Sequence, residues 1–255
     1  MSTKIEYVDE TINPLQDIVK GESGRGYHCT KVSPGCLNCY AETINNRFGN
    51  HLPFDDRPTK FDLIGSELDK PIKWKKPRRI FVQSMGDLFH ESVKFEDLHR
   101  IFGIMRQTPQ HTYFLLTKRP LLMADDVGLI VAKEALGTAM GFYSHVWLGV
   151  TICNQPEADE KIPILLQIPG FKKWVSCEPL LDFLGLSRHF PHVHGMRNDR
   201  FWVVAGAESG SGARPADDNW FRPIRDQCRE AGVPFFMKQT TDPIPDDLMV
   251  REYPE

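Results

Sequence analysis

Six short runs of β-branched and aromatic residues, each ending abruptly in a polar residue or a turn, constrain this chain more than any other feature. They are Ile80–Ser84, Thr112–Thr117, His145–Thr151, Lys172–Ser176, Phe201–Ala205 and Pro234–Met237, with a weaker seventh at Lys4–Val8. Near-continuous apolar character fits strands covered on both faces, as the strands of parallel sheets are. Helical patterns fall between them. Phe95–Arg106 sets Phe95, Leu98, Ile101, Phe102 and Met105 on one stripe. Pro120–Leu136 starts with Pro in its first turn and runs to Gly137. Glu157–Leu166 and Asn219–Ala231 follow, the second stopping at Gly232 with Arg225 and Arg229 near its end. Strands alternating with helices predict βαβ units with right-handed crossovers. Six or seven such units in 255 residues predict an α/β fold: a partial or full TIM-type (β/α) barrel with parallel strands, one domain over 1–255. Two segments break the alternation and read as insertions, 49–79 with four prolines and 180–200 with His189, His192 and His194.

Composition narrows the function classes. Hydrophobic residues are 41% and charged residues 25%, which excludes a disordered chain. A formal net charge of −3 gives no general support to a protein that coats nucleic acid. No apolar run approaches the roughly 20 residues of a membrane helix. The first residues, MSTKIEYVDE, lack an apolar stretch of signal-peptide type, so a soluble, cytoplasmic protein is expected. Six cysteines are too few and too unevenly spaced for a secreted disulfide scaffold. Cys29, Cys36 and Cys39 lie within eleven residues, whereas Cys153, Cys177 and Cys228 are scattered.

In parallel barrels the chemistry gathers beyond the carboxyl ends of the strands. Just past the runs stand Met85-Gly86-Asp87, Lys118-Arg119, Cys153-Asn154-Gln155, Cys177-Glu178-Pro179, Glu208-Ser209-Gly210 and Lys238-Gln239. Strand ends are solvated and polar in any case, but a rim lined throughout is what a binding site requires. The cysteine loop follows the weak first strand and projects from the same rim. Ser33-Pro34-Gly35 supplies a turn that lets its thiols converge, and Asn38–Phe48 reads as a helix stopped by Gly49. N–H groups near the start of that helix offset negative charge on thiolates. Three uses of the thiols compete. A zinc site needs a fourth ligand, which His28 or His51 would provide. Unligated core thiols suit a loop of Gly, Pro and Ser poorly. A four-iron cluster held by three thiolates leaves one iron open to a substrate or cofactor.

The blocks CTKVSPGCLNCYAE, SMGDLFHE, LLTKRP, WLGV, CEPLL, AESGSGARP and GVPFFMKQ resemble a phage-associated radical-SAM-like family, over about Ile5 to Gln239. The radical S-adenosylmethionine (SAM) superfamily carries a three-cysteine loop after the first strand of a TIM-type barrel. Its usual first spacing is three residues, where this chain has six. The family's Trp-Asn-Pro stands here as Ile12-Asn13-Pro14, followed by an apparent insertion holding Gly21-Glu22-Ser23-Gly24. Leu115–Pro120 also resembles the spore photoproduct lyase branch, which repairs DNA.

The resemblance implies a 4Fe-4S cluster on Cys29, Cys36 and Cys39, and S-adenosyl-L-methionine cleaved to methionine and a 5′-deoxyadenosyl radical. Ser84-Met85-Gly86-Asp87 stands where such proteins carry Gly-Gly-Glu for the methionyl amine. Ser84 and Asp87 are therefore cofactor candidates, the Asp87 contact worth about 1.5–3 kcal/mol. Lys118, or Arg119, would meet the cofactor carboxylate. Ser176, Glu178, Glu208 and Ser209 would contact ribose, adenine or substrate. Cys153 or Cys177 would return a hydrogen atom to a substrate radical, against the simpler reading of both as buried structural thiols. The implied partners are an electron donor such as flavodoxin or ferredoxin, an auxiliary protein, and a nucleic acid or nucleotide substrate.

Two other function classes compete. Glu178 and Glu208, each beyond a strand, match the acid and nucleophile of a TIM-barrel glycosidase. A zinc-stabilised nucleic-acid-binding protein would use the run Lys73–Arg79, with Lys75, Lys76, Arg78 and Arg79 as contacts and Trp74 for stacking. With a near-neutral chain, such contact is expected through a local patch beside the barrel mouth. His189, His192 and His194 would hold a metal, or else lie in an ordinary loop.

Overall fold

The computed structural model describes residues 5–18, 25–57, 59–134, 143–194, 198–210 and 212–254. The strands are β1 Glu10–Ile12, β2 Leu15–Ile18, β3 Arg25–Gly26, β4 Phe61–Leu63, β5 Arg79–Val82, β6 Thr112–Thr117, β7 Val146–Thr151, β8 Lys172–Cys177, β9 Phe201–Gly206 and β10 Phe235–Gln239. The helices are α1 Tyr40–Phe48, α2 Gly65–Lys73, α3 Phe95–Gln107, α4 Pro120–Glu134, α5 Gln155–Gln167 and α6 Asp218–Ala231. Seven strands form one sheet in the order β1-β5-β6-β7-β8-β9-β10, an α/β arrangement of half-barrel type. β1 and β10 end that order, so the expected barrel is the partial form. The chain separates into two compact units, 1–147 with 168–171, and 148–167 with 172–255.

In the first unit β1, β5 and β6 run parallel, with Ile12 beside Val82 and Val82 beside Leu115. The interior is built from the apolar runs: Ile80, Val82, Tyr113 and Leu115 are buried. Helix α3 buries Leu98, Ile101, Phe102 and Met105, the stripe read from the sequence, while Glu96 and Asp97 in its first turn favour the helix dipole. A second, antiparallel sheet of β3, β2 and β4 accompanies this half.

Several expectations shift here. Ile5–Val8 is not strand, and Lys4 lies outside the described residues; the edge strand is Glu10–Ile12. Segment 49–79 contains β4 and α2, not a bare insertion. The helix after the cysteines begins at Tyr40 with Cys39 as its cap residue. The run at Ile80–Ser84 ends as strand at Val82. Helix α4 ends at Glu134, and 135–137 and Gly21–Gly24 lie outside the described residues.

In the second unit β8, β9 and β10 are parallel, with Trp174 beside Trp202 and Val203 beside Phe235. Gly149 leaves room for Trp174, whose Nε1 would lie 2.3 Å from an added Cβ. Helix α6 is capped by Asp217, which accepts from the Asn219 N–H at 2.8 Å, and is closed by Gly232 in the left-handed region at φ 65°. Segment 180–200 is stitched to α6: Gln227 Oε1 accepts from the N–H of Leu186 and Ser187.

Candidate functional site

The cysteine loop is built locally. Ser33 accepts from the Gly35 N–H at 3.2 Å and opens a single 3-10 turn over Pro34–Cys36, where proline sets the first φ. Cys36 is buried in that turn, Cys29 is half-buried before it, and Cys39 is half-buried at the N-terminus of α1. Burial, with the Asp87 carboxylate nearby, pushes the Cys29 thiol up to about 12. A bound cation reverses that preference, because thiolate is the ligating form.

The turn after β5 packs against this loop. Gln83 lies in the left-handed region at φ 63°, a conformation unfavourable for a residue with a side chain. It is held there because its amide serves as a strand partner: Oε1 accepts from the Leu15 N–H and Nε2 donates to the Leu15 carbonyl, both at 3.0 Å. Asn13 Oδ1 accepts from Met85 N–H at 3.0 Å and Ser84 Oγ at 3.2 Å. Gly86 then approaches the cysteine segment so closely that a Cβ would stand 3.0 Å from the His28 carbonyl oxygen.

Asp87 and Arg119 join this turn to the end of β6. Asp87 Oδ1 accepts from Thr117 Oγ1 at 2.7 Å and the Phe89 N–H at 3.0 Å. Its Oδ2 accepts from the Lys118 N–H at 3.1 Å and from Arg119 at 3.2 Å. The Arg119 guanidinium, 6% exposed, also donates to Glu91 at 2.8 Å and to Thr30 Oγ1 at 2.6 Å, and reaches Cys29 Sγ at 3.8 Å. His90 Nδ1 accepts from the Ser92 N–H, so its Nε2 donates to Thr30 Oγ1 at 2.8 Å. Asp87 and Glu91 hold Arg119 in the charged form, with its pKa raised. The site thus has a buried cation beside a thiol, anchored by two carboxylates. Lys118 is half-buried, and its backbone rather than its amine meets Asp87.

Sequence reasoning missed Asn13, Thr30, Gln83, His90 and Glu91. His90 and Glu91 belong to the SMGDLFHE block and were within reach of it; nothing in the sequence pairs Thr30 with Arg119. His28 is buried, bonded through Nδ1 to Arg57, and pushed down to about 4 by burial and by that cation. His51 is exposed and bonds the Asn46 carbonyl at 2.7 Å, so it does not turn toward the thiols. Among the described residues no three His, Cys, Asp or Glu side chains converge as ligands of a single ion.

The second unit holds the other candidates. Ser176 is buried and donates to Glu178 at 3.1 Å, and Glu178 pairs with Lys238 at 2.7 Å. Glu208 is buried and clamped by Arg214, from Nε at 2.9 Å and Nη2 at 2.5 Å; Ser209 is exposed. A glycosidase must keep one of its carboxyl groups protonated. Here each carboxylate faces its own cation, which favours ionisation of both. Cys153 and Cys177 are fully buried, and burial raises the Cys177 pKa, as in structural thiols. His189 pairs with Asp159 at 2.8 Å and His192 bonds Asn198, so neither turns to a shared metal; the His194 side chain lies outside the described residues.

The basic run is not beside the mouth. Lys73–Arg79 leads into β5, whereas Ser84–Asp87 follows it, and four strand residues span roughly 13 Å. Arg78 pairs with Glu10 at 2.6 Å and Arg79 with Asp9 at 3.1 Å, both fastening β1 to β5; Lys75 and Lys76 are exposed.

The sequence matches a family described as protein of unknown function, DUF5131, over residues 2–252. No curated protein sequence matches the chain. Solved structures of spore photoproduct lyase share the fold. One mutant gives a TM-score of 0.57 at 11% identity, covering 94% of this chain and 79% of that one. A second mutant gives 0.53 at 10% identity, with 91% and 82% covered. A third, with bound AdoMet and dinucleoside spore photoproduct, gives 0.52 at 11% identity, covering 91% of this chain. This chain spans 64% of the length of that third protein. No helix among the described residues is long and apolar enough to cross a membrane.

Proposed function

The chain belongs to the DUF5131 family, and from that premise we propose that it is a radical SAM enzyme. Cys29, Cys36 and Cys39 hold a 4Fe-4S cluster, and the substrate is a nucleic acid or nucleotide. One observation carries the reading: the three-thiol loop lies against the turn beyond β5, with the buried Arg119 guanidinium 3.8 Å from Cys29 Sγ. Three thiolates and their sulfides gather negative charge, and a fixed cation with an adjoining helix N-terminus compensates it. When bound, a cluster with one iron free of cysteine supplies the electron that cleaves SAM to methionine and a 5′-deoxyadenosyl radical.

The chain's own residues then position and shield. Asp87 and Glu91 fix Arg119, Thr30 is fixed between Arg119 and His90, and Tyr40 donates to the Ser84 carbonyl at 2.5 Å, tying α1 to the strand-end turn. Ser84, Asp87 and Lys118 remain the proposed contacts to the methionyl end of the cofactor, and Ser176, Glu178, Glu208 and Ser209 the proposed polar contacts elsewhere. The dinucleoside ligand of a fold neighbour supports a nucleotide-containing substrate. The phage association rests on sequence blocks alone.

The test is anaerobic reconstitution with iron, sulfide and zinc quantified per chain. About four irons are expected, lost when Cys29, Cys36 and Cys39 are all changed to Ala. Reductant-dependent release of 5′-deoxyadenosine from SAM completes the case. Stoichiometric zinc in place of iron overturns it.

A further inference from the structure

Helix α1 turns an apolar stripe outward. Tyr40, Ile44 and Phe48 recur every four residues, which sets them on one face, and they are 48%, 42% and 74% exposed. The cysteine loop continues the surface. Val32, between Cys29 and Cys36, is 47% exposed, and Leu37, between Cys36 and Cys39, is 62% exposed. A surface helix ordinarily turns such a stripe into the core, yet the residues α1 buries are Ala41 and Asn45. Charge on this segment has one sign outward. Between residues 31 and 51 the exposed charged groups are Lys31 and Arg47. The carboxylate of the segment, Glu42, is half-buried, pairing with Lys31 at 2.8 Å and accepting from the Phe54 N–H at 2.9 Å.

Resting on the assignment of the three thiols to a 4Fe-4S cluster, we propose that this face docks an acidic one-electron carrier protein of the flavodoxin or ferredoxin class. The position suits electron entry, because Val32 and Leu37 belong to the ligand loop itself. A carrier seated on them is separated from the thiols by one layer of chain. The size suits it too: transient redox encounters bury less than about 1,200 Å². Apolar residues with a basic rim match an acidic partner. Nucleic-acid interfaces are far more densely basic, and two cations around five apolar residues fit one poorly. The step moves one electron. The reduced carrier is oxidised by one equivalent, the cluster is reduced by one, and no atom is transferred.

The test uses the iron-loaded chain, with reduced flavodoxin and a plant-type ferredoxin as probes. Dissociation constants are measured for wild type, for an Ile44→Glu/Phe48→Glu double variant and for Arg47→Glu. Binding of a carrier is expected to weaken at least tenfold in both variants, with a shallower salt dependence in Arg47→Glu. Iron and sulfide content and dithionite-driven 5′-deoxyadenosine release stay at wild-type levels. Unchanged carrier affinity in both variants overturns the proposal. So does loss of oligonucleotide binding with carrier binding intact, which makes the face a nucleic-acid surface. A chain that holds four irons and binds neither carrier defeats this proposal alone; a chain that retains no iron defeats the cluster reading and this one with it.

Discussion

Two buried charges carry opposite lessons about what a single residue does here. Arg119 and Asp87 pair at 3.2 Å with side chains 5% and 7% exposed. Removing two charges from water costs several kcal/mol per ion, and only dense hydrogen bonding repays it. Asp87 has four donors, so Arg119→Met leaves a carboxylate stranded among groups arranged for an ion pair. The expected loss is about 3–5 kcal/mol, read as a lower urea midpoint, with Arg119→Lys intermediate because the charge survives and the fork does not. A wild-type midpoint in Arg119→Met would falsify this anchoring role. Lys173 is buried at the start of β8, and burial pushes its ammonium down from 10.5 to about 7. Between those values the unfolded chain holds a proton that the folded chain has lost, so stability rises with pH, by up to about 1.4 kcal/mol per unit. Below about 7 both states are protonated and this contribution is flat. Lys173→Met should flatten the rise and be most stabilising at the acid end; parallel pH profiles for the two proteins would refute it. Of these residues only Asp87 and Arg119 were visible in the sequence as site candidates. Lys173 lay inside a strand run and gave no sign of complete burial.

Elements were legible where burial is two-sided and hidden where it is not. Strands β6 to β10 advertise themselves because their residues are almost uniformly apolar. β1 is a three-residue edge strand that buries only Ile12, too short and too polar to show against the apolar pattern of Lys4–Val8. α2 was concealed by Pro71, which breaks the expected helical signal yet sits near the C-terminal end, where a missing N–H disturbs little. The three cysteines were legible as a set because spacing is a sequence property. The Gln83 turn that meets them was not, because its left-handed backbone depends on an amide exchange with Leu15 across the fold. That turn supplies the test at this scale. A Cβ at position 86 would stand 3.0 Å from the His28 carbonyl oxygen and 3.3 Å from Gln83 Nε2. Gly86→Ala must therefore push the turn off the cysteine segment, at about 1–3 kcal/mol in thermal or urea stability. It should also lower iron retention per chain, whereas Gly103→Ala, at a helical position with open space around it, should do neither. Equal effects at the two glycines would remove the close approach as a cause.

At the scale of the molecule, the division into two compact units makes the consequences of cluster binding local. Every bond described around the thiols, from Thr30 to His90, Tyr40 to Ser84 and Arg119 to Cys29, lies within the first unit. The pairing of β9 with β10 and the clamp of Arg214 on Glu208 lie within the second. A group that binds only when its ligands are in place adds free energy to each opening that scatters those ligands, and to no other. Loading the chain anaerobically with iron and sulfide should therefore slow amide exchange at residues 28–40 and 84–91. A slowing of at least tenfold corresponds to about 1.4 kcal/mol of added local stability. Exchange in β9 and β10 should stay near its unloaded rate. Equal protection throughout would mean that the two units open together and that the compact division has no thermodynamic meaning. Protection confined to the second unit would remove Cys29, Cys36 and Cys39 as ligands. The near-neutral charge of the whole chain, which excludes binding through a uniformly basic surface, makes such local measurements the right ones: what this protein binds must be held by small, specifically built patches.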